Sequence, residues 1–325
     1  MPDTSFALPA AIETMARPPS RTDYLSDRGL RALAATGAVL IIALVAFILW
    51  KIGGQALPAI YAYHADFLVS TTWNTQTAEF GVLPQIWGTL YSSLLALLIG
   101  GFLGVTLAIF LTEGFLPRSL ALVLRTIVEM LAAIPSVVFG LWGIFVVIPV
   151  LRPIGEWLYV NAAWIPFFAT SPGGPGLMPA TVVLSIMILP TITAISQDAL
   201  NLIPYSTREA AYAMGATRWE AVSKVFLPTA AGGIFASMVL GFGRALGETM
   251  ALAMLIGHSN QISLALFAPA DTLASLLASH FPEAGPVEVK ALMYAALVLL
   301  AITLLVNVAG TWVLETMRTR ISGKS

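Results

Sequence analysis

An arginine and a glutamate stand four residues apart in an apolar, glycine-rich stretch, GFGRALGETMA, at residues 241–251. Residues spaced by four lie on one face of a helix, so Arg244 and Glu248 are predicted to project side by side. The stretch falls in a predicted membrane span, where a charged side chain costs about 2.5–3.5 kcal/mol at the bilayer centre. We therefore expect both side chains to face the protein interior or a watery cavity rather than lipid.

Two interpretations of this pair stay open. An internal ion pair between Arg244 and Glu248 could lock helices together. A guanidinium also offers forked donors that suit a tetrahedral oxyanion, and Glu248 could then hold Arg244 in place or accept a proton from an anion such as hydrogenphosphate. Gly241, Gly243 and Gly247 should leave open space beside Arg244, which favours a substrate pathway, although small residues also serve close helix packing.

Other kinds of chemistry are excluded by composition. The chain has no cysteine, which rules out disulfides, thiolate metal sites and cysteine nucleophiles. Its three histidines, His64, His258 and His280, are scattered without the spacing of metal ligands, so no metal site is predicted. Neither a phosphate-binding loop nor a serine nucleophile motif is found. We therefore expect a chain that is not an enzyme and binds no cofactor.

The residues that would position the pair are overwhelmingly apolar. Of the 325 residues, 58% are hydrophobic and only 10% are charged, whereas a soluble domain carries about 25% charged residues. This composition predicts an all-α, polytopic integral membrane protein. Apolar runs near the roughly 20 residues that cross a bilayer predict six spans, at residues 33–50, 84–111, 121–150, 178–200, 230–256 and 287–314.

The segments outside these spans are predicted to be irregular. Residues 1–29 and 316–325 should form tails on either side of a membrane domain at 30–315, and residues 53–81 and 152–176 should form loops. Pro135 is expected to kink the third span. A short surface or re-entrant helix is predicted at 271–281, with Asp271 as its N-cap.

Positive charge sets the predicted orientation. Six spans place both termini on one side, and twelve of the sixteen lysines and arginines fall there. By the positive-inside rule, the termini and residues 204–228 therefore face the cytoplasm of the cell. Arg125 and Glu129, which are also four residues apart, and Asp198 are interpreted as boundary residues near the cytoplasmic interface.

The longest polar, helix-forming segment between spans covers residues 204–228, PYSTREAAYAMGATRWEAVSKVFLP. Two capping boxes are predicted, at Ser206 with Glu209 and at Thr217 with Glu220. A glycine between them should interrupt the helix, and a proline should end it. The segment is predicted to form two short helices along the membrane surface. An ordinary amphipathic linker is the alternative.

The order of residues in this segment resembles the EAA motif of binding-protein-dependent ABC transporter permeases. The matching positions fall into an acidic and alanine start, a central glycine and a terminal pair: Glu209, Ala210, Ala211, Gly215, Leu227 and Pro228. The resemblance implies a type I importer permease whose motif docks into a groove on an ATPase subunit. The three small residues would permit close approach there, and Glu209 and Arg218 would make polar contacts at the rim.

Two further stretches restrict the resemblance to one group of these permeases. AAIPSVVFGLWGIFV, at residues 132–146, and the GRALGET run around Arg244 are similar to the permeases of phosphate ABC importers, and to the PstC family more than to the PstA family. This resemblance implies a bacterial inner-membrane complex of a PstA-like second permease, PstB-like ATPases and a PstS-like binding protein. It also implies phosphate passage at Arg244 and Glu248, ATP and magnesium on the ATPase alone, and no nucleic-acid partner.

Two alternative functions stay open from the sequence. A permease of the same class could carry another oxyanion, such as sulfate or molybdate. An ion-coupled secondary transporter could also use a membrane-embedded arginine and glutamate, but it would have no reason to carry the EAA motif.

Overall fold

The computed structural model describes residues 21–322, and most of them are helical. The first half of the chain contains α1 (Arg21–Tyr63), α2 (Asp66–Val69), β1 (Trp73–Asn74), β2 (Glu79–Phe80), α3 (Leu83–Thr112), α4 (Arg118–Ala133), α5 (Ser136–Trp142) and α6 (Ile148–Ala162). The second half contains α7 (Leu177–Asn201), α8 (Tyr205–Ala213), α9 (Arg218–Ala221), α10 (Leu227–Leu246), α11 (Met250–Leu255), α12 (Leu273–His280) and α13 (Pro286–Ser322).

Six of the described helical stretches are long and apolar enough to cross a membrane, which confirms the all-α, six-span prediction. Two of these stretches consist of two α-helices joined by a π-helical turn. Helix α5 continues into α6 through Gly143–Val147, and α9 continues into α10 through Val222–Phe226. The six stretches are Ser26–Tyr63, Leu83–Thr112, Ser136–Ala162, Leu177–Asn201, Arg218–Leu246 and Pro286–Thr316.

The chain divides into two compact units after Gly54. The first unit contains the part of α1 up to Gly54, whose side chains from residue 26 to residue 51 are exposed. The helix begins at Arg21 rather than after residue 29, so the predicted tail is partly helical, and residues 1–20 lie outside the described part.

The second unit, from Gln55 onward, begins with the rest of α1, where the sequence predicted a loop. Helix α1 passes through Gly53 and Gly54 and ends at Tyr63. Ala56 and Ala59 are buried in this stretch, so packing outweighs the small helix penalty of the glycines. The rest of the predicted loop contains α2 and a two-stranded antiparallel hairpin in which Trp73 pairs with Phe80.

The third long helix does not occupy the predicted residues 121–150. Helix α4 ends at Ala133, and a new helix begins after Pro135 and runs to Ala162. The residue before a proline is driven out of the α region, and Ile134 accordingly has φ −71° and ψ 127°. Pro135 therefore separates two helices instead of kinking one. The predicted loop at 152–176 is helical up to Ala162, and Gly155 serves a close contact with the ring of Phe267.

Helix α7 forms the centre of the core and packs against α3 and α10. Its bounds lie within one residue of the predicted span at 178–200. Glycines allow the close approach, since a Cβ atom added at Gly100 of α3 would lie 2.6 Å from the Ser185 carbonyl oxygen. A Cβ atom at Gly241 of α10 would lie 2.7 Å from Ile192. These contacts fix α10, which carries Arg244, against α7.

The fifth long helix differs from the prediction at both ends. It begins at Arg218 and passes through Pro228, which the sequence predicted would end a helix. The π-helical turn just before Pro228 changes the local hydrogen-bonding register, so the missing N–H and the bulk of the ring are accommodated. At the other end, the helix stops at Leu246 and α11 begins only at Met250, so the predicted span at 230–256 is broken.

Two corrections concern the last elements. The N-cap of α12 is Thr272, whose hydroxyl accepts from the Ser275 N–H, and Asp271 precedes it. The final helix, α13, continues to Ser322, so the predicted tail at 316–325 is helical as far as the structure describes it.

Candidate functional site

Arg244 lies in the last turn of α10, and its side chain is exposed. Its Nη1 atom donates to the hydroxyl Oγ1 of Thr191 on α7 at 3.4 Å. Among the described residues it forms no ion pair. The guanidinium therefore retains donors that a ligand could use.

Glu248 does not sit beside Arg244 on one helix face. Gly247 ends α10, and Glu248 lies in the break before α11. One of its carboxylate oxygens accepts from the backbone N–H of Ala251 at 3.4 Å. The spacing rule assumes a continuous helix, which Gly247 interrupts, so the predicted side-by-side projection is wrong. The described contacts give no support to an ion pair that locks helices together.

The glycines near Arg244 serve mainly as packing contacts rather than as open space. Gly241 is buried against Ile192, and a Cβ atom at Gly243 would lie 3.3 Å from the side-chain oxygen of Asn307 on α13. Only Gly247 is exposed, with nothing but local backbone near its added Cβ position. The expectation of open space therefore holds for Gly247 and is wrong for Gly241 and Gly243.

One side of α7 carries a stripe that extends from Arg244 toward the end of the helix nearest residues 204–228. Thr191, Ala194, Asp198 and Asn201 follow one another at spacings of three and four, so they share one helix face. The last three are exposed, although most of α7 is buried. We name these four residues the α7 stripe.

A cavity of about 300 Å³ adjoins the lower part of the α7 stripe. Arg125 and Glu129 of α4 line it opposite Gln197 and Asp198. The Nε2 atom of Gln197 is buried and has no hydrogen-bond partner among the described residues. The structure thus brings Arg125, Glu129 and Asp198 together around one cavity, whereas the sequence analysis interpreted them as separate boundary residues. The spacing of polar residues along the fourth span could have indicated this shared face.

The EAA segment forms α8 and α9, joined by a turn at Gly215 with φ +81°. A left-handed φ favours glycine, which confirms the predicted interruption. Thr217 and Glu220 form the predicted capping box. The other predicted box is absent, because the N-cap of α8 is Pro204 and Ser206 already lies inside the first turn.

Most of the motif residues face outward. Glu209, Ala210, Gly215, Arg218 and Pro228 are exposed, Leu227 is half-buried, and Ala211 is buried in the core. Large apolar side chains that the sequence analysis did not single out are also exposed around them. These are Leu202, Tyr205, Tyr212, Met214 and Trp219.

At the end of the molecule away from the EAA segment, a buried carboxylate organises a polar cluster. Asp271 is buried, and its Oδ2 accepts from Gln85 Nε2 at 3.4 Å. The same Gln85 nitrogen donates to Asn260 at 2.6 Å. His258 completes the cluster, with Nδ1 3.6 Å from Asp271 Oδ1 and Nε2 2.7 Å from the Ala253 carbonyl oxygen.

The carboxylate of Asp271 raises the pKa of His258, and partial burial of the imidazole opposes this effect. Both ring nitrogens face groups that can only accept, so the protonated ring, with two donors, fits the position best. His258 also has a left-handed backbone, with φ +50°. Within residues 21–322, no group of three or more potential metal ligands is clustered, at this position or at any other.

The described residues contain six long apolar helices, an exposed arginine without an ion pair at the break in the fifth of them, and the exposed EAA segment between α7 and α10. These features define a helical membrane permease. Comparison with known proteins agrees. Residues 100–323 match the family model described as binding-protein-dependent transport system inner membrane component.

Curated relatives are similar over most of the chain. The chain is 38% identical over 288 residues to the phosphate transport system permease protein PstC of Mesorhizobium japonicum, covering 87% of this chain and 88% of the relative. It is 38% identical to the protein of the same name from Haemophilus influenzae, covering 86% and 90%. The chain therefore belongs to the binding-protein-dependent transport inner membrane component family, in the branch whose curated members are named PstC.

Solved structures share the fold at low sequence identity. One is a bacterial alginate ABC transporter in complex with a pentasaccharide-bound periplasmic protein, with a TM-score of 0.58, 17% identity, and coverage of 87% of this chain and 94% of that chain. Another is the inward-facing MetNI methionine ABC transporter, with a TM-score of 0.54, 20% identity, and coverage of 73% and 95%. The fold is that of type I ABC importer permeases.

Proposed function

We propose that this chain is the permease subunit of an ATP-driven importer that passes inorganic phosphate across the inner membrane by alternating access. The observation that carries the proposal is the exposed Arg244 guanidinium at the break in the fifth long helix, in a chain whose relatives are named phosphate transport permeases. Guanidinium donors suit the tetrahedral phosphate anion. Family membership favours the ATP-driven class over the secondary transporter considered from the sequence.

In this proposal, the substrate passes Arg244 and then follows the α7 stripe. Thr191 adds a hydroxyl beside the guanidinium, and the lower end of the stripe reaches the cavity lined by Arg125 and Gln197. Glu248 caps the start of α11 and limits over-tight anion binding through its negative charge. The exposed side of α7 and α10 is the side that a second, PstA-like permease subunit would cover.

ATP hydrolysis is assigned to a partner. The projecting motif residues and the exposed aromatic and methionine side chains around them form a surface of the kind that protein partners cover. A PstB-like ATPase, which carries ATP and magnesium, would dock here. A PstS-like protein would deliver phosphate on the opposite face of the membrane, and this chain would bind neither a cofactor nor nucleic acid.

The test is uptake by the complex reconstituted into proteoliposomes with its ATPase and binding protein. Radiolabelled phosphate should accumulate only with internal ATP, and an excess of unlabelled phosphate should suppress the signal while equal sulfate or molybdate should not. Suppression by sulfate or molybdate would assign the chain to another oxyanion. Accumulation without ATP, or failure of any ATPase to co-purify, would overturn the ATP-driven class.

A further inference from the structure

Arg208, which stands directly before the EAA sequence, is the point at which three elements meet. Its Nη1 atom donates to Glu113 Oε2 at 2.8 Å, just beyond the end of α3. Its Nη2 atom donates to the Leu200 carbonyl oxygen at 2.8 Å, in the last turn of α7. The guanidinium carbon also lies 4.8 Å from the ring centroid of Phe226, in the π-helical turn that leads into α10.

The ion pair between Arg208 and Glu113 is shielded from water. The Glu113 side chain is 3% exposed and the Arg208 side chain is 21% exposed. The Oε1 atom of Glu113 has no hydrogen-bond partner among the described residues, so the arginine is the group that balances this carboxylate. Removing one member of such a pair leaves an uncompensated buried charge, which costs far more than the loss of an exposed pair.

Apolar packing alone does not give α8 a fixed direction relative to these helices. Ala211 is the buried residue of α8 and offers a methyl group to the core, while the exposed Tyr212 adds only an edge contact, with its ring centroid 6.2 Å from that of Phe226. A cavity of about 430 Å³, lined by Glu113, Arg208 and Glu209 among others, adjoins the ion pair. Hydrogen bonds and bidentate guanidinium contacts are directional, whereas apolar burial is not.

We propose that Arg208 is a positioning residue for energy coupling, and that it makes α8 move as one body with the ends of α3 and α7 and the start of α10. The inference rests on the proposed function, in which α8 receives the displacement from the ATPase. Movement of α8 then reaches Thr191 on α7 and Arg244 on α10 through rigid helices rather than being absorbed in the loops at 202–204 and 214–217.

The test compares variants in the complete complex in proteoliposomes. Arg208→Lys keeps the charge but loses the fork that holds two elements at once. The double variant Glu113→Gln with Arg208→Gln removes both charges and so leaves no orphaned buried ion. Lys224→Gln is the matched control, because Lys224 forms an exposed pair with Glu220 in the same region.

The quantity measured is phosphate transported per ATP hydrolysed, together with co-purification of the ATPase and the melting temperature. We expect both Arg208 variants to assemble and hydrolyse ATP while transport per ATP falls at least about fivefold, the lower end of typical coupling between sites. Lys224→Gln should leave the ratio unchanged. A wild-type ratio in both Arg208 variants, or loss of assembly in both, would overturn the inference; absence of any ATPase from the wild-type complex would overturn the proposed function instead.

Discussion

The side-chain hydrogen-bond partner of Arg244 is the hydroxyl of Thr191 and not a carboxylate. Its charge is therefore free to stabilise an anion that arrives there, and a lysine could not reproduce the forked donors. The arginine lies at the end of α10, against the central helix α7, so it has both a rigid support and an exposed side.

Replacing Arg244 by Gln should reduce phosphate uptake by at least about tenfold, because the loss of one charged donor to a desolvated anion costs about 1.5–3 kcal/mol. Co-purification with the ATPase should be unchanged, since Arg244 contacts no motif residue. Arg152→Gln is the matched control, because Arg152 makes an exposed pair with Glu156 on α6. Normal uptake, or loss of the assembled complex, would contradict a pathway role for Arg244.

His258 is predicted to make the stability of the folded protein depend on pH. Its pKa in the folded protein is raised above its ordinary value of 6.5, so its contribution to stability is complete below that value and is lost as pH rises through the folded pKa. His258→Asn removes the titration and keeps a residue that tolerates the left-handed backbone. The melting temperature of the wild type should fall relative to the variant as the pH is raised above 6.5; parallel curves would contradict the assignment.

For individual residues, the sequence indicated which side chains are functional candidates better than it predicted how they are arranged. Arg244 was identified from its charge in an apolar run, and in the structure its guanidinium is exposed and forms no ion pair among the described residues. Its relation to Glu248 was predicted from a helical repeat, and that repeat ends at Gly247. Arg208 was not identified, because its partners, Glu113 and the Leu200 carbonyl, come from other helices and leave no mark in the local sequence.

Among the elements, the turn between α8 and α9 depends on one glycine. A Cβ atom at Gly215 would meet nothing within 4 Å, so the cost of Gly215→Ala comes from the left-handed backbone alone. That cost is about 1–2 kcal/mol for an ordinary residue. We expect faster hydrogen exchange across residues 205–217 in this variant, and a smaller change in Gly215→Asn.

Gly232→Ala is the matched control for Gly215→Ala. Gly232 lies inside α10, and its added Cβ atom also meets nothing within 4 Å. Alanine in a helix interior is favoured over glycine by about 0.5–1 kcal/mol. Exchange in α10 should therefore slow slightly or stay the same, and faster exchange in both variants would show that backbone conformation is not the cause.

The prolines show why helix boundaries were the least predictable feature of the elements. Pro135 lies after a residue with extended backbone and separates two helices. Pro228 and Pro153 both lie inside helices, and Pro228 lies two residues after the end of a π-helical turn. A proline restricts the residue before it and removes one donor, but the register of the preceding turn decides whether the helix continues, and that register is set by packing.

For the whole molecule, the number of spans followed from apolar length alone, because the backbone in lipid must satisfy its own hydrogen bonds. Apolar length did not predict which side of each helix is left exposed, because that depends on how the helices pack. The cytoplasmic location of the termini and of α8 remains a prediction from charge distribution.

The absence of cysteine makes this orientation testable with single substitutions. Thr75 in the hairpin turn and Met214 beside Gly215 are both exposed, on opposite sides of the predicted topology. Thr75→Cys should react with a membrane-impermeant maleimide in intact cells, whereas Met214→Cys should react only after permeabilisation. The unsubstituted chain is the background control. The reverse pattern would invert the orientation, and labelling of both from one side would contradict six spans.

The exposed side of α7 and α10 also bears on how a cell makes this protein. In a chain inserted alone, Arg244 is exposed, and contact of its charge with lipid would cost up to about 2.5–3.5 kcal/mol, the value for the bilayer centre. If the proposed second permease subunit covers that side, its binding removes this cost. We expect membrane quality-control proteases to remove the surplus, so that the amount of this chain in the cell follows the supply of its covering subunit rather than its own rate of synthesis.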